Sequence, residues 1–361
     1  MRAHAVRPYG YGWGINIMSD TTNKAITAWL LIVAVLVAVM VVVGGYVRLA
    51  RAGLSIVEWN PITGVIPPLS AQAWQAEFAK YQQTPEFKVF NPTMTLDGYK
   101  RIFYLEWAHR LIARLAGLVV VAPLAYFLWR RIIPWRQSAI YLAIAALFAL
   151  QGFLGWFMVA SGLVDRPYVS HFRLTVHLLT ALTLLALALW VALDHAYGQP
   201  GRGRLSGPGV AVLAIVVLQI AYGGLVAGLK AGHVSNTWPL MGGALVPAGL
   251  LVAGRSWLFS LLQAPMTVHF IHRWLAFVVL ASALWFYFRH RGDQTAVARQ
   301  IRAAALLLVA VIALQIALGV GVVLFGVPIW LALAHQATAL AMFTVAVYLN
   351  HRLVAAQEAG R

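Results

Sequence analysis

Eight long apolar segments, separated by shorter polar stretches, dominate the chain. Each holds about 20 mainly apolar residues, the number that a helix needs to cross the roughly 30 Å hydrocarbon core of a bilayer. No segment shows the period-two alternation of a membrane β-strand, and backbone groups in lipid must find partners within the protein, so helices are expected. The predicted membrane helices lie near 27–49, 104–129, 138–160, 172–193, 208–230, 267–288, 303–325 and 329–349.

The composition excludes a soluble protein and narrows the kinds of metal site. Of the 361 residues, 61% are hydrophobic and only 10% are charged, whereas about a quarter of the residues of a soluble domain are charged. The chain has no cysteine, which excludes disulfides, thiolate metal sites, iron–sulfur clusters and thioether-linked haem. Any bound metal must therefore have histidine or oxygen ligands.

The net charge of +17 comes from basic residues at the ends of the apolar segments and not from a single patch. This distribution favours anionic membrane lipids over nucleic acid as partners. The positive-inside rule then predicts that both termini are cytoplasmic and that the long loop 50–103 lies on the outer side. The first 25 residues are polar and basic and precede a full-length span, which indicates a retained signal-anchor.

The chain contains an internal repeat. The segment beginning at Gly44 resembles the one beginning at Gly223, and the surroundings of His109 resemble those of His272. We therefore predict an all-α integral membrane protein of two pseudo-symmetric four-helix bundles. The predicted parts are an N-terminal segment 1–26, a first bundle 27–194 containing the loop 50–103, a Gly/Pro-rich linker 195–207, a second bundle 208–350 and a tail 351–361.

Four histidines, His109, His177, His272 and His335, lie at a similar depth near the start of four different apolar segments. A single histidine within a membrane helix is more often a hydrogen-bonded core residue, but four at matched depth favour iron ligands. Two pairs of imidazoles at one level would serve two six-coordinate haems, and four-helix bundles are suitable containers for this cofactor.

The other histidines are interpreted by their position. Solvated or interfacial side chains are expected for His4, His195, His290 and His351 at the ends of spans, and His233 lies in a loop. His171 is expected at the membrane surface, where it could gate, exchange protons or be an ordinary interface residue. His269 precedes His272 by three residues, so the two share a helix face.

Glu106 is the only acidic residue expected within a span, where a carboxylate is costly and needs a function or a firm partner. It lies one turn from His109, so it could accept a proton or stabilise positive charge while a porphyrin substituent is oxidised. The alternative is a structural ion pair with Arg110 or Arg114. Arg110 and Arg273, each beside a predicted ligand, are expected to bind haem propionates or to reach lipid headgroups.

These motifs, in this order, resemble those of the haem A synthase family, and the resemblance covers residues from about 27 to 350. The residues that carry it are Gly44-Gly45-Tyr46-Val47-Arg48-Leu49, Gly53-Leu54-Ser55, Trp59-Asn60-Pro61, Glu106-x-x-His109-Arg110, Phe172-Arg173-Leu174-x-x-His177-Leu178, Ile271-His272-Arg273 and Ala334-His335-Gln336.

The resemblance implies that the first bundle takes haem o between His109 and His177 and oxidises its C8 methyl group to a formyl group, which gives haem A for cytochrome oxidase assembly. It implies that His272 and His335 ligate haem b and that Glu106 is catalytic. Because the chain has no cysteine, it resembles the cysteine-free bacterial type of the inner membrane. Haem o synthase, oxidase assembly factors and a second copy of the chain are the partners considered.

Two other functions share some of these features. A di-haem b electron carrier linked to quinol would use the same four histidines, but it gives no reason for a carboxylate beside one pair only. A transporter or haem chaperone could contain an internal repeat, but the two halves show no matching Gly/Pro break at mid-membrane.

The aromatic loop 50–103 is expected either to cover the substrate site or to lie on the membrane surface.

Overall fold

The computed structural model describes residues 20–164, 167–198, 204–291 and 295–359, and over these ranges the chain is helical with no strand. The expected segment 1–26, linker 195–207 and tail 351–361 fall partly outside the described residues, and His4 falls outside them altogether. The prediction of an all-α protein is confirmed.

Eight of the helices in the described residues are long and apolar enough to cross a membrane, as the hydrophobic pattern predicts. The protein is therefore a multi-pass membrane protein. These helices are α1 (Asp20–Leu49), α4 (Leu96–Trp129), α5 (Ala139–Leu163), α6 (His171–Tyr197), α7 (Gly207–Gly228), α9 (Pro265–Arg289), α10 (Ala296–Leu324) and α11 (Ile329–Ala359).

Short helices occupy the loops: α2 (Ala71–Gln82) and α3 (Pro85–Phe90) between α1 and α4, and α8 (Trp257–Gln263) before α9. Trp74, Phe78 and Tyr81 of the first loop are buried together with Tyr99 and Phe103 of α4, in a cluster separate from the main core. This packing explains why α4 begins at Leu96 and not near 104, because its first two turns serve the loop.

The long helices pack as two groups of four. In the first group α1 contacts α4 and α6, and α5 contacts the same two helices; in the second, α7 and α10 each contact α9 and α11. The groups meet where α6 packs on α7 and α11, and where α1 packs on α11. Gly45 of α1 permits this approach, since a Cβ there would overlap Oε1 of Gln336, whose amide donates to the Val41 carbonyl at 2.7 Å.

The expectation that His195 and His351 are solvated is wrong, because they are only 4% and 1% exposed. The His351 ring lies 3.0 Å from Asp194, and the two nitrogens of His195 contact Tyr141 and Asn23 at 2.6 and 2.9 Å. Helices α6 and α11 continue beyond their apolar runs, so these residues lie between helices and not at a rim. His290 is half-buried beside the Phe286 carbonyl.

Another buried carboxylate, Glu86 of α3, lies in the loop between α1 and α4. It is 5% exposed, and its Oε2 lies 3.5 Å from the Tyr81 hydroxyl. Arg51 and Lys230 both sit over the ring of Phe90, at 4.9 and 5.1 Å from its centre. Burial raises the pKa of Glu86 to about 7, aided by the charge of Glu106 and opposed by hydrogen bonding with Tyr81 and by the two cations.

We predict that Glu86→Gln stabilises the protein more at pH 8 than at pH 5. In the folded protein Glu86 stays protonated up to about pH 7, whereas in the unfolded chain it ionises near its ordinary pKa. The free energy of unfolding of the wild type therefore falls as the pH rises from about 4 to 7 and stays lower above it. A shift of this size corresponds to a gain on the order of 3 kcal/mol at pH 8. Thermal unfolding at both pH values measures it, with Asp97→Asn, an exposed carboxylate, as the control; equal gains at both pH values would contradict the prediction.

Candidate functional site

The four candidate histidines lie on α4, α6, α9 and α11, and each ring faces a glycine of a neighbouring helix. A Cβ on the glycine would lie 2.9 to 3.6 Å from the nearest ring atom, so these positions leave room for an imidazole that a larger residue would displace. The pairs are Gly44 of α1 with His109, Gly155 of α5 with His177, Gly223 of α7 with His272 and Gly319 of α10 with His335.

The histidines come together in the predicted pairs. The ring centres of His272 and His335 are 6.3 Å apart and their planes are at 80°, and His109 and His177 are near enough to interact electrostatically. An imidazole nitrogen binds a metal at about 2 Å, so an ion midway between two rings needs ring centres roughly 6 Å apart. The second pair has this spacing.

The four rings differ in their hydrogen bonds: both nitrogens of His335 have contacts, whereas one nitrogen of His177 and one of His272 have none among the described residues. Nδ1 of His335 lies 3.1 Å from the Gln315 carbonyl, an orienting contact typical of metal-binding histidines, and the Gln315 amide lies 3.3 Å from Nε2. Nδ1 of His177 and of His272 is buried without a partner among the described residues. Those residues hold no group of three or more potential ligands, so a metal here would depend on imidazole pairs.

Glu106 is 2% exposed and its carboxylate is fully engaged. Oε2 accepts hydrogen bonds from the Ser55 amide at 2.8 Å, the Ser55 hydroxyl at 2.7 Å and the Ile56 amide at 2.9 Å. Oε1 pairs with Arg110 at 2.6 Å. The ion pair with Arg110 is therefore formed, whereas Arg114 donates to loop carbonyls instead.

Arg110 and Arg273 perform the same task in the two helix groups. Arg110 donates to the carbonyls of Ile56 and Glu58 at 3.0 and 3.2 Å and lies over Trp59. Arg273 donates to the carbonyls of Ser235 and Thr237, both at 2.8 Å, and lies over the Trp238 ring. It also donates to His269, which occupies the position that Glu106 has beside Arg110. Binding of haem propionates by either arginine stays a prediction.

The comparisons with known proteins were made on the whole chain. The family model described as cytochrome oxidase assembly protein, COX15-CtaA, matches residues 27–347. The chain belongs to this family. Among curated relatives, the haem A synthase of Sphingopyxis alaskensis is 44% identical over 333 residues, covering 91% of this chain and 92% of the relative.

Two more curated relatives give the same result. The haem A synthase of Maricaulis maris is 43% identical over 91% of this chain and 96% of its own length. That of Paramagnetospirillum magneticum is 43% identical over 94% of this chain and 97% of its own. The family resemblance inferred from the motifs is confirmed.

Several residues that contact Glu106 or the candidate histidines were not predicted from the sequence. Ser55 was quoted only as part of a motif, although it gives Glu106 two hydrogen bonds. The amides of Gln151 and Gln219 donate to the carbonyls of His177 and His272 at 3.3 and 3.0 Å. The glycines that face the histidine rings were not predicted either, although a glycine within an apolar helix usually has a packing reason and could have indicated them.

We predict that Arg273→Gln mobilises the loop between α7 and α8. The loop loses two donors to its carbonyls, so its amides should exchange with solvent about tenfold faster or more, the effect of losing one or two hydrogen bonds. Hydrogen–deuterium exchange at residues 234–238 measures this. Arg299→Gln, an exposed position on α10, is the control, and unchanged exchange in the Arg273 variant would refute the assignment.

Proposed function

We propose that this chain is a haem A synthase, an oxidoreductase that converts the C8 methyl group of haem o to a formyl group and supplies haem A for cytochrome oxidase assembly. The observation that carries the proposal is a pair of half-buried histidines in each helix group, with a buried, fixed carboxylate beside one pair only. Relatives at 43–44% identity over nearly the whole chain carry that activity in their names.

The proposed arrangement has two pseudo-symmetric bundles, 27–194 and 208–350, with both termini cytoplasmic in a bacterial inner membrane. The equivalent glycines that face His109 and His272 support the symmetry, as do the equivalent clamps of Arg110 and Arg273. The basic residues at the helix ends support the orientation. Haem o synthase and oxidase assembly factors are the proposed protein partners.

His109 and His177 would hold the iron of haem o, and His272 and His335 would hold haem b. The residues fit these groups: the rings are paired, glycines leave room beside them, and Nδ1 of His177 and of His272 lacks a partner among the described residues. When bound, haem b would supply one-electron transfer. The protein would orient the porphyrins and exclude water from them.

Glu106 is proposed as the catalytic carboxylate. Four hydrogen bonds hold the carboxylate in place and occupy both of its oxygens. The side chain therefore has little freedom to move and accept a proton from the substrate. This favours the second of its two suggested roles, a fixed negative charge that stabilises positive charge on the porphyrin edge as the methyl group is oxidised. Ser55 and Ile56 keep that charge oriented.

We predict that the wild type contains haem A and haem b, whereas Glu106→Gln contains haem b with haem o or its hydroxylated intermediate. The substitution keeps the size of the side chain and removes the charge that the oxidation needs. Extraction of haems from protein expressed with a haem o supply, followed by chromatography and mass measurement, tests this, with Asp97→Asn of the same helix as the control. If wild type and variant both hold only unmodified haem b at two sites, the chain is an electron carrier.

We also predict that Gly319→Ala lowers the haem b content. The new Cβ would lie 2.9 Å from Cε1 of His335, too close without moving the ligand. Alanine is the better helix former by about 1 kcal/mol, so weakening of α10 would not explain a loss. Haem b per chain and its reduced spectrum are the measurements. The control is Gly152→Ala, whose Cβ meets nothing within 4 Å; equal haem b contents in the two variants would contradict the role of Gly319.

A further inference from the structure

A non-helical segment, residues 55–61, runs along α4 and is held by three charged side chains of that helix. Glu106, Arg110 and Arg114 are spaced by four residues, so they share one face and together span about 12 Å of the helix. We call residues 55–61 the strap. Its amides at positions 55 and 56 donate to Glu106, and its carbonyls at 56 and 58 accept from Arg110.

Arg114 fastens the far end of the strap. Its Nε donates to the Pro61 carbonyl at 2.8 Å and its Nη2 to the Asn60 carbonyl at 2.7 Å. Its Nη1 donates to the Arg110 carbonyl at 3.0 Å, which ties the guanidinium to its own helix. A Cβ on Gly64 would lie 3.0 Å from Nη2, so a glycine follows the strap where the guanidinium needs room.

The position of these contacts on α4 explains why arginine occupies position 114. Arg114 is the last charged residue before the apolar run 115–129 and lies about 6 Å further along α4 than Arg110. Backbone carbonyls of a non-helical segment at that position need donors from the protein. Arg114 supplies two in a fork geometry that lysine lacks.

The second helix group lacks this anchor. The residue five positions after His109 is Arg114, whereas the residue five positions after His272 is Phe277, which stacks on Trp238 at 6.1 Å. Arg273 holds residues 235–237 of that loop by the carbonyls at 235 and 237. The extra anchor therefore occurs in the same half as the carboxylate.

We propose that Arg114 is a positioning residue for Glu106: by fastening the strap at Asn60 and Pro61, it keeps the Ser55 and Ile56 donors on the carboxylate. This inference rests on the proposed function for its catalytic consequence. A loosened strap would let Glu106 turn with Arg110, so the fixed charge would no longer face the substrate porphyrin. Substrate affinity, which depends on the histidines, would change little.

Hydrogen–deuterium exchange on the full chain in lipid nanodiscs tests the strap without any turnover. In Arg114→Gln the amides of Ser55 and Ile56 should exchange about tenfold faster or more, the effect of losing one hydrogen bond to a charged group. Arg114→Lys should fall between the variant and the wild type, because it keeps the charge but not the fork. Arg101→Gln, an exposed arginine of α4, should match the wild type. Unchanged exchange in Arg114→Gln would overturn the proposal.

Turnover of haem o gives the second readout. Arg114→Gln should lower kcat by about tenfold while KM changes less than twofold, and adding Ser55→Ala should lower kcat little further, since residues that act through one network are not additive. Additive losses, or a rise in KM alone, would show that Arg114 acts elsewhere. If the wild type makes no haem A, the proposed function fails, and the exchange result still decides whether Arg114 holds the strap. A variant that does not fold is replaced by Arg114→Lys.

Discussion

Polar groups inside the apolar bundle need partners within the protein, and this constraint organises the whole structure. A backbone carbonyl or a charge that leaves water for hydrocarbon costs several kcal/mol unless it is hydrogen-bonded. Arg110 and Arg273 answer the constraint by binding both an ionisable neighbour on their own helix and the carbonyls of an incoming loop. The loops after α1 and α7 are therefore held next to the helix turns that carry His109 and His272.

Glycines on neighbouring helices leave the space that the histidine rings occupy. A histidine ring between closely packed helices needs a neighbour without a side chain, and each candidate ligand has one. The same device joins the two helix groups, where Gly45 admits the amide of Gln336 and Gly224 lies against Thr175. Helix propensity argues against glycine at all these positions, so their presence within apolar helices reflects packing and not helix formation.

Much of this could be read from the sequence, because spans are long and their signal is local. The eight helices follow from hydrophobic length, and the four histidines stand out by depth and repetition. What failed depends on contacts between distant residues. His195 and His351 are polar residues at the ends of apolar runs; His195 is buried against α1 and α5, and His351 against α6. The strap likewise joins positions about fifty residues apart, for which hydrophobic pattern carries no signal.

The two halves differ where chemistry would require it. Both keep the histidines, the facing glycines and the arginine that clamps a loop, which is what holding a haem needs. The first half adds Glu106 and Arg114 where the second has His269 and Phe277. A buried charge costs energy in the membrane, and Glu106 and Arg114 occur only in the half for which the proposed function needs a charge. Their confinement to that half supports the proposal that it is the reactive one.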